Sequence, residues 1–291
     1  MGTNGRKGKD DWHVFKKLVK NGIPPSYRPR IWAECSGATE VREPGLYQDY
    51  LSREHVPESM QCLNQIELDC HRTFPTNIYF GGDGPGVAKL RRVLLAFSRR
   101  RPEIGYCQGM NMVAATLLLT CPTEEDAFWI FSCMIERILP SDYYSAKLLV
   151  SQADQRVLEE FIGKILPDIW AHFEEIGIDL PAVTFGWFLS LFCDGLPIQT
   201  LLRVWDMFMI SGSVVIFRIA VGILKMHSKE ILAQDNAASL YVCLRTLATH
   251  TYQVDKLFKI SFDELKNITS KGIGTLREKY VRQIEEELKG S

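Results

Sequence analysis

Pro122-Thr123-Glu124-Glu125-Asp126-Ala127-Phe128-Trp129-Ile130-Phe131-Ser132-Cys133-Met134-Ile135-Glu136-Arg137-Ile138-Leu139-Pro140 reads as one capped helix. Ala127, Trp129, Ile130, Phe131, Met134, Ile135, Ile138 and Leu139 recur at the three-to-four spacing that gathers apolar side chains on one helical face. Thr123 offers an oxygen to the unsatisfied N–H groups of the first turn, and the acids at 124–126 complement the positive end of the helix dipole. Pro140 forbids continuation. Val214–His227 repeats the pattern, with Val215, Ile219, Ile223 and Met226 on one face. Leu276, Tyr280, Ile284 and Leu288 fall four apart among charged residues and predict an amphipathic closing helix. Period-two alternation bounded by turn pairs is nearly absent. The expected class is all-α.

Breakers divide these helices. Pro24-Pro25 precedes the first informative helix, Gly81-Gly82-Asp83-Gly84-Pro85-Gly86 is a flexible loop candidate, and Ser141–Tyr144 follows a helix end. Pro167 and the Gly177–Pro181 segment mark the middle. A length of 291 residues corresponds to about two domains. The division expected is a polar N-terminal linker or extension at 1–18, an N-terminal subdomain at 19–168 and a C-terminal helical subdomain at 169–291. No internal repeat of solenoid period is visible.

With 46% hydrophobic and 11% aromatic residues the chain can bury a large core, which excludes a disordered regulator. Lys+Arg 34 against Asp+Glu 35 gives a net charge of −1, so no global positive field favours nucleic acid as a partner. Cys35, Cys62, Cys70, Cys107, Cys121, Cys133, Cys193 and Cys243 form no CxxC pair and mostly sit in apolar runs. The start of the chain is polar and basic with no apolar h-region after it, so these read as thiols in a reducing cytoplasm. Ile104–Thr123 is uncharged, but Gly105, Gln108, Gly109, Asn111 and Pro122 cut its apolar part to about residues 112–121. Leu180–Cys193 is also too short to span a bilayer. Both are expected to be buried helices, with no transmembrane segment.

Candidate chemistry narrows quickly. Gly81 and Gly86 have Walker A spacing, but Val87-Ala88-Lys89 replaces the required Lys-Ser/Thr and no apolar strand leads in. No bound nucleotide is expected. The six histidines are scattered without zinc-site spacing, so no metal is expected either. Cys107 could meet a histidine in space, though nothing beside it in sequence would activate the thiol.

Three local patterns remain. The first is Gly22-Ile23-Pro24-Pro25-Ser26-Tyr27-Arg28-Pro29-Arg30-Ile31-Trp32. In the second, Ile66-Glu67-Leu68-Asp69-Cys70-His71-Arg72-Thr73-Phe74-Pro75, Ile66, Asp69 and Arg72 fall three apart on one side of a helix. Pro75 disfavours helical backbone at Phe74, so the helix should stop near Arg72 with Phe74 extended. Asp69 could hold that Arg in a fixed direction, or the two could form an ordinary surface pair worth a few tenths of a kcal/mol. In the third, Gly105-Tyr106-Cys107-Gln108-Gly109-Met110-Asn111, glycines flank Gln108 just before an apolar helix. The amide could cap that helix, or it could be presented at the surface to orient water. Arg91-Arg92 and Arg99-Arg100-Arg101 are either solvated helix residues or a basic face for a partner or membrane.

Taken in order, Arg28-x-x-x-Trp32, Ile66-x-x-Asp69-x-x-Arg72 and Tyr106-x-Gln108 closely resemble the three signature motifs of the TBC domain, the catalytic domain of Rab GTPase-activating proteins. The resemblance continues through Trp187-Phe188-Leu189 and Arg203-Val204-Trp205-Asp206 and extends from about Val19 to the 250s. Ala153–Leu158 and Pro140–Tyr144 are similar to the Armus-like branch.

The resemblance implies a V-shaped, all-α fold of two helical subdomains. It also implies a dual-finger mechanism in which Arg72 and Gln108 enter the site of a GTP-bound Rab-family small GTPase in trans. GTP and Mg²⁺ then belong to the partner, and the chain carries no cofactor of its own. By motif position Asp69 should orient Arg72, Tyr106 should pack beneath the Gln108 loop, Arg28 and Trp32 should anchor adjoining helices, and Asp206 should belong to a structural network of the second subdomain. A cytoplasmic protein recruited to endomembranes and acting in vesicle trafficking is expected, with any membrane association peripheral. Two alternatives stand beside it: a non-catalytic TBC scaffold that binds a small GTPase or adaptor, and an enzyme centred on Cys107.

Overall fold

The computed structural model describes residues 6–53, 60–82 and 84–290, and among these the chain is helical with no strand. The first half runs α1 (Arg6–Lys20), α2 (Arg28–Ser36), α3 (Ala38–Val41), α4 (Leu46–Ser52), α5 (Met60–Arg72), α6 (Pro85–Arg100), α7 (Met110–Thr120) and α8 (Glu124–Cys133), the last continued by a π-helical turn, Met134–Ile138. The second half runs α9 (Leu149–Ile165), α10 (Pro167–Ile176), α11 (Pro181–Leu189), α12 (Ile198–Ser211), α13 (Val214–Met226), α14 (Ser228–Leu232), α15 (Ala237–Leu247), α16 (Val254–Lys259) with a second π-helical turn, Ile260–Glu264, and α17 (Ser270–Gly290). The all-α expectation holds.

Thr123 caps α8 as expected, its Oγ1 accepting from Asp126 N at 3.1 Å. The acids of that first turn do more than complement a dipole. Glu124 takes both nitrogens of Arg92 from α6 (2.9 and 2.6 Å) and the Tyr47 hydroxyl from α4 (3.1 Å), while Asp126 takes Arg42. The basic residues of α6 are partly solvated, and most are tied to neighbouring elements. Arg91 pairs with Glu67 of α5, Arg100 pairs with Glu136 at 2.7 Å, and Arg99 donates to the carbonyls of Tyr50 and Leu51. These guanidiniums bind neighbouring helices because each finds a carboxylate or an unsatisfied helix-end carbonyl within reach.

Between them α6 packs on α4, α5, α7 and α8. Helix α7 is buried nearly all round, from Met110 to Leu118. That is the property that gave it a membrane-like sequence. Among the described residues no helix is long and apolar enough to cross a membrane.

In the second half α9 packs on α17, α10, α11 and α13, and its buried Asp154 accepts Arg277 of α17 at 2.6 and 3.0 Å. Packing thus changes partners ahead of the 168/169 division expected from the sequence. Pro167 is the first residue of α10, where its missing N–H costs nothing, so it separates two helices of one layer. Of the stretch read as a linker or extension, residues 1–5 lie outside the described residues, as do His55 and Asp83. Arg6–Lys20 form α1, which packs on α12 and buries Val19.

The two halves join around one carboxylate. Asp206 of α12 is fully buried and accepts Arg28 Nε (2.8 Å), Arg28 Nη2 (3.0 Å), Trp32 Nε1 (2.9 Å) and Ile23 N (3.0 Å). Trp32 lies against Trp205 with ring centroids 5.7 Å apart. The Arg28, Trp32 and Asp206 motifs, distant in sequence, are one joint between α2 and α12.

Candidate functional site

Helix α5 ends at Arg72, where the proline rule places its stop. Ile66 and Asp69 point inward and are fully buried, whereas the Arg72 side chain, one turn on, is 55% exposed. Asp69 is completely paired. Its Oδ1 faces Arg72 Nη2 at 2.6 Å and accepts Gln65 Nε2 at 3.1 Å, and its Oδ2 accepts the Tyr106 hydroxyl. A desolvated, hydrogen-bonded carboxylate under a half-exposed guanidinium is a stronger constraint than a surface pair, because the anion cannot exchange Arg72 for water. The Asp69–Arg72 contact is thus a buried anchor under an exposed guanidinium rather than a surface pair. Tyr106 spans from the second finger segment back to the same carboxylate, and burial together with the Asp69 charge pushes its hydroxyl far above the ordinary tyrosine range.

Phe74 departs from expectation. Its φ is 45°, in the left-handed region, not extended. The chain reverses here, with Asn77 N donating to Phe74 O at 2.9 Å and the Phe74 ring against Phe80. These contacts outweigh the local preference imposed by Pro75.

Gln108 sits on a short loop between glycines that both adopt positive φ, Gly105 at 63° and Gly109 at 103°. Gly109 is required for a second reason: a Cβ there would lie 2.7 Å from the Leu189 carbonyl oxygen of α11. That carbonyl is itself fixed by the Tyr144 hydroxyl at 2.6 Å. The loop continues directly into α7, so the Gln108 side chain is exposed while its backbone is wedged between α11 and the core.

Arg72 and Gln108 line the same open groove of about 580 Å³, with Leu148, Phe185, Leu189 and Asp194 along its other wall. Cys107 also borders it. Burial, then the nearby Asp69 charge, pushes the Cys107 thiol up to about 11, which disfavours the thiolate a nucleophile needs. Arg28, Trp32 and Asp206 are not on the groove; they form the interhelix joint. The groove thus offers a permanently charged fork of donors and a carboxamide that can both donate and accept. Such a pair suits a phosphate and a water supplied from outside.

Sequence reasoning quoted Thr73 and Asn111 inside the motifs without assigning them a role. Thr73 Oγ1 donates to Asp69 O at 2.6 Å and accepts Asn111 Nδ2 at 2.8 Å, and Asn111 Oδ1 accepts Gly109 N at 3.0 Å. The signal available was an amide placed at the start of an otherwise apolar helix. Tyr144 and Leu189 lie in stretches that carry the family resemblance, but nothing in the sequence pairs residues 45 apart.

Comparison with known proteins identifies the family. The chain is 44% identical to TBC domain-containing protein C4G8.04 of Schizosaccharomyces pombe and 42% identical to human TBC1 domain family member 2A, in each case over 94% of its length. It spans about a third of those relatives, 35% and 30% respectively. The similarity to member 2A agrees with the Armus-like branch read from the sequence, since TBC1D2 is Armus. Among solved structures it resembles the Chlamydomonas flagellar RabGAP TBC domain, with a TM-score of 0.78 and 30% identity over 90% of this chain and 86% of that one. The fold also matches the Ypt/Rab-GAP domain of Gyp1p, with a TM-score of 0.70 and 19% identity over 92% and 93% of the two chains. With the profile of the Rab-GTPase-TBC domain matching residues 25–232, most of its length, the chain belongs to the Rab-GTPase-TBC domain family.

Proposed function

We propose that this chain is a GTPase-activating domain that accelerates GTP hydrolysis by a Rab-family small GTPase in trans, with Arg72 and Gln108 as the two fingers. The observation that carries this reading is that both side chains, from different segments, are exposed on one groove while a buried carboxylate holds the first. Small GTPases hydrolyse GTP slowly because charge developing on the phosphoryl oxygens is incompletely stabilised and the attacking water is loosely held. The Arg72 guanidinium answers the first deficit; an arginine finger is worth about 10³–10⁵ in rate, or roughly 4–7 kcal/mol of barrier. Gln108 accepts from the water through its carbonyl and donates to a phosphate oxygen through its NH₂. The proposed chemistry asks neither side chain to gain or lose a proton. GTP and Mg²⁺ arrive with the partner, whose membrane anchorage would bring this domain to the cytoplasmic face of endomembranes and into vesicle trafficking.

Single-turnover GTP hydrolysis across a panel of Rabs tests the proposal. Arg72→Ala and Gln108→Ala are each expected to lower stimulated kcat/KM by at least about 100-fold while leaving the fold intact. Full activity in both variants on a responsive Rab would refute the dual-finger assignment. Binding of a GTP-loaded Rab with no acceleration by the unaltered chain would establish the scaffold instead.

A further inference from the structure

The two finger segments are separated by 36 residues, yet a trans mechanism needs their side chains at a fixed spacing before the partner arrives. Fixing them on encounter would spend part of the advantage that preorganisation gives. Three contacts could set that spacing. Tyr106 reaches Asp69 from within the glycine-flanked loop, two residues ahead of Gln108. The Leu189 carbonyl presses on Gly109 from α11, which carries neither finger. The third ties the residues that immediately follow the two fingers: Asp69 O accepts the Thr73 hydroxyl, Thr73 Oγ1 accepts Asn111 Nδ2, and Asn111 Oδ1 accepts Gly109 N. Thr73 follows Arg72 directly, and Gly109 follows Gln108 directly.

This tie is built for rigidity. Thr73 is fully buried and Asn111 is 4% exposed, so water does not compete for any of its hydrogen bonds. Every polar atom has one assignment. The Thr73 proton is committed to a carbonyl, so its lone pair must face a donor, and only the amide side of Asn111 supplies one. The carbonyl side of Asn111 then meets the Gly109 N–H, which lies ahead of α7 and has no intrahelical acceptor. Reversing the amide would break both bonds at once. The chain thereby locks not just the distance between the fingers but the orientation of the Gly109 peptide on which Gln108 depends.

We propose that Thr73 and Asn111 are positioning residues that hold the Arg72 helix end and the Gln108 loop in register, and so set the finger spacing. This rests on the function proposed above and names the device that regulates that same site. Neither residue touches the reacting atoms.

The test uses Thr73→Val, which keeps shape and removes the hydroxyl, Thr73→Ser, which restores it, and Asn111→Asp, which replaces the donating NH₂. Thr73→Val and Asn111→Asp are expected to lower kcat on a responsive Rab by roughly 10–100-fold with KM within about threefold, the range for fingers displaced by about 1 Å. Thr73→Ser should recover most of the rate. In a Gln108→Ala background Thr73→Val should cost far less than it does alone, since the finger it positions is gone. A folded Thr73→Val with unchanged kcat, or a loss that is fully additive with Gln108→Ala, overturns the proposal. Amide hydrogen exchange reads the tie independently of turnover: Gly109 N–H protection should fall in Thr73→Val and return in Thr73→Ser. If the unaltered chain accelerates no Rab, the functional reading fails, and unchanged Gly109 protection would overturn the tie itself.

Discussion

Asp69→Asn gives the sharpest separation of holding a finger from building a core. The amide is nearly isosteric but has one acceptor oxygen where the carboxylate has two. Arg72 Nη2 and Gln65 Nε2 both need the Oδ1 side, so the amide oxygen must face them and the NH₂ must face Tyr106. The Tyr106 hydroxyl, which now donates to a carboxylate, would have to accept instead, leaving its proton without a partner in a buried site. That mismatch costs about 1–3 kcal/mol, and loss of the charge-assisted contacts brings the total to about 2–4 kcal/mol. For a chain of this size the melting temperature should fall by roughly 4–16 °C. The kinetic effect has a different origin. Arg72 keeps its charge but loses the anion that aims it, so kcat should drop about 10²-fold, short of the 10³–10⁵ that removing the guanidinium entirely can cost. Single-turnover hydrolysis at 20 °C, beside a thermal melt, reads both. In an Arg72→Ala background the kinetic penalty of Asp69→Asn should vanish while the melting shift persists. A kinetic penalty that survives without Arg72, or an Asp69→Asn protein that melts lower but turns over normally, would refute the claim that Asp69 works by aiming Arg72.

Asp206→Ala should act on stability alone. It leaves the buried Arg28 charge and the Trp32 and Ile23 N–H groups unpaired, which costs about 3–5 kcal/mol and roughly 6–20 °C in melting temperature; kcat measured well below the transition should stay within twofold of the parent. Cys107→Ser should leave activation intact. With its thiol pushed up to about 11, on the order of one Cys107 in three thousand is thiolate at pH 7.5, and its alkylation rate should climb tenfold per pH unit to near that value; a plateau near pH 8.5, measured by mass spectrometry, would show the thiol unperturbed.

Class and helix ends were legible because each rests on local chemistry, whereas Arg72 and Gln108 stood out only through the family resemblance. The 3.6-residue periodicity of α8 and its threonine cap specify a helix without reference to anything else in the chain. The stop at Arg72 follows from a proline three residues on. What escaped was information carried by partners distant in sequence. Arg91, Arg92 and Arg100 look like free cations until α4, α5 and α8 bring Glu67, Glu124 and Glu136 beside them. Phe74 looks extended until Phe80 and Asn77 return to meet it. Pro167 is limited in a related way: a proline reports that one helix has ended and says nothing about which layer the next one joins. Thr73 and Asn111 were in plain view, but their meaning depends on a contact across 38 residues.

The way charge is distributed bears directly on how a borrowed active site can work. The arginines of α6 are committed to carboxylates or carbonyls, which ties α6 to α4, α5 and α8. Arg72 is treated differently. Its partner is fully buried, the ion pair engages Nη2, and more than half the side chain stays in solvent. A guanidinium has five donors in a planar fork, so an anchor through one nitrogen fixes direction while leaving donors for an incoming phosphate oxygen. Had Arg72 been paired in the two-pronged manner of Arg91 or Arg100, the partner's phosphate would have had to displace a carboxylate to be reached. Had it been unpaired, the entropy of a long side chain would be lost at each encounter. One buried carboxylate, holding one nitrogen, is the arrangement that avoids both costs, and under the function proposed above it leaves Arg72 aimed and open to a phosphate brought by the partner.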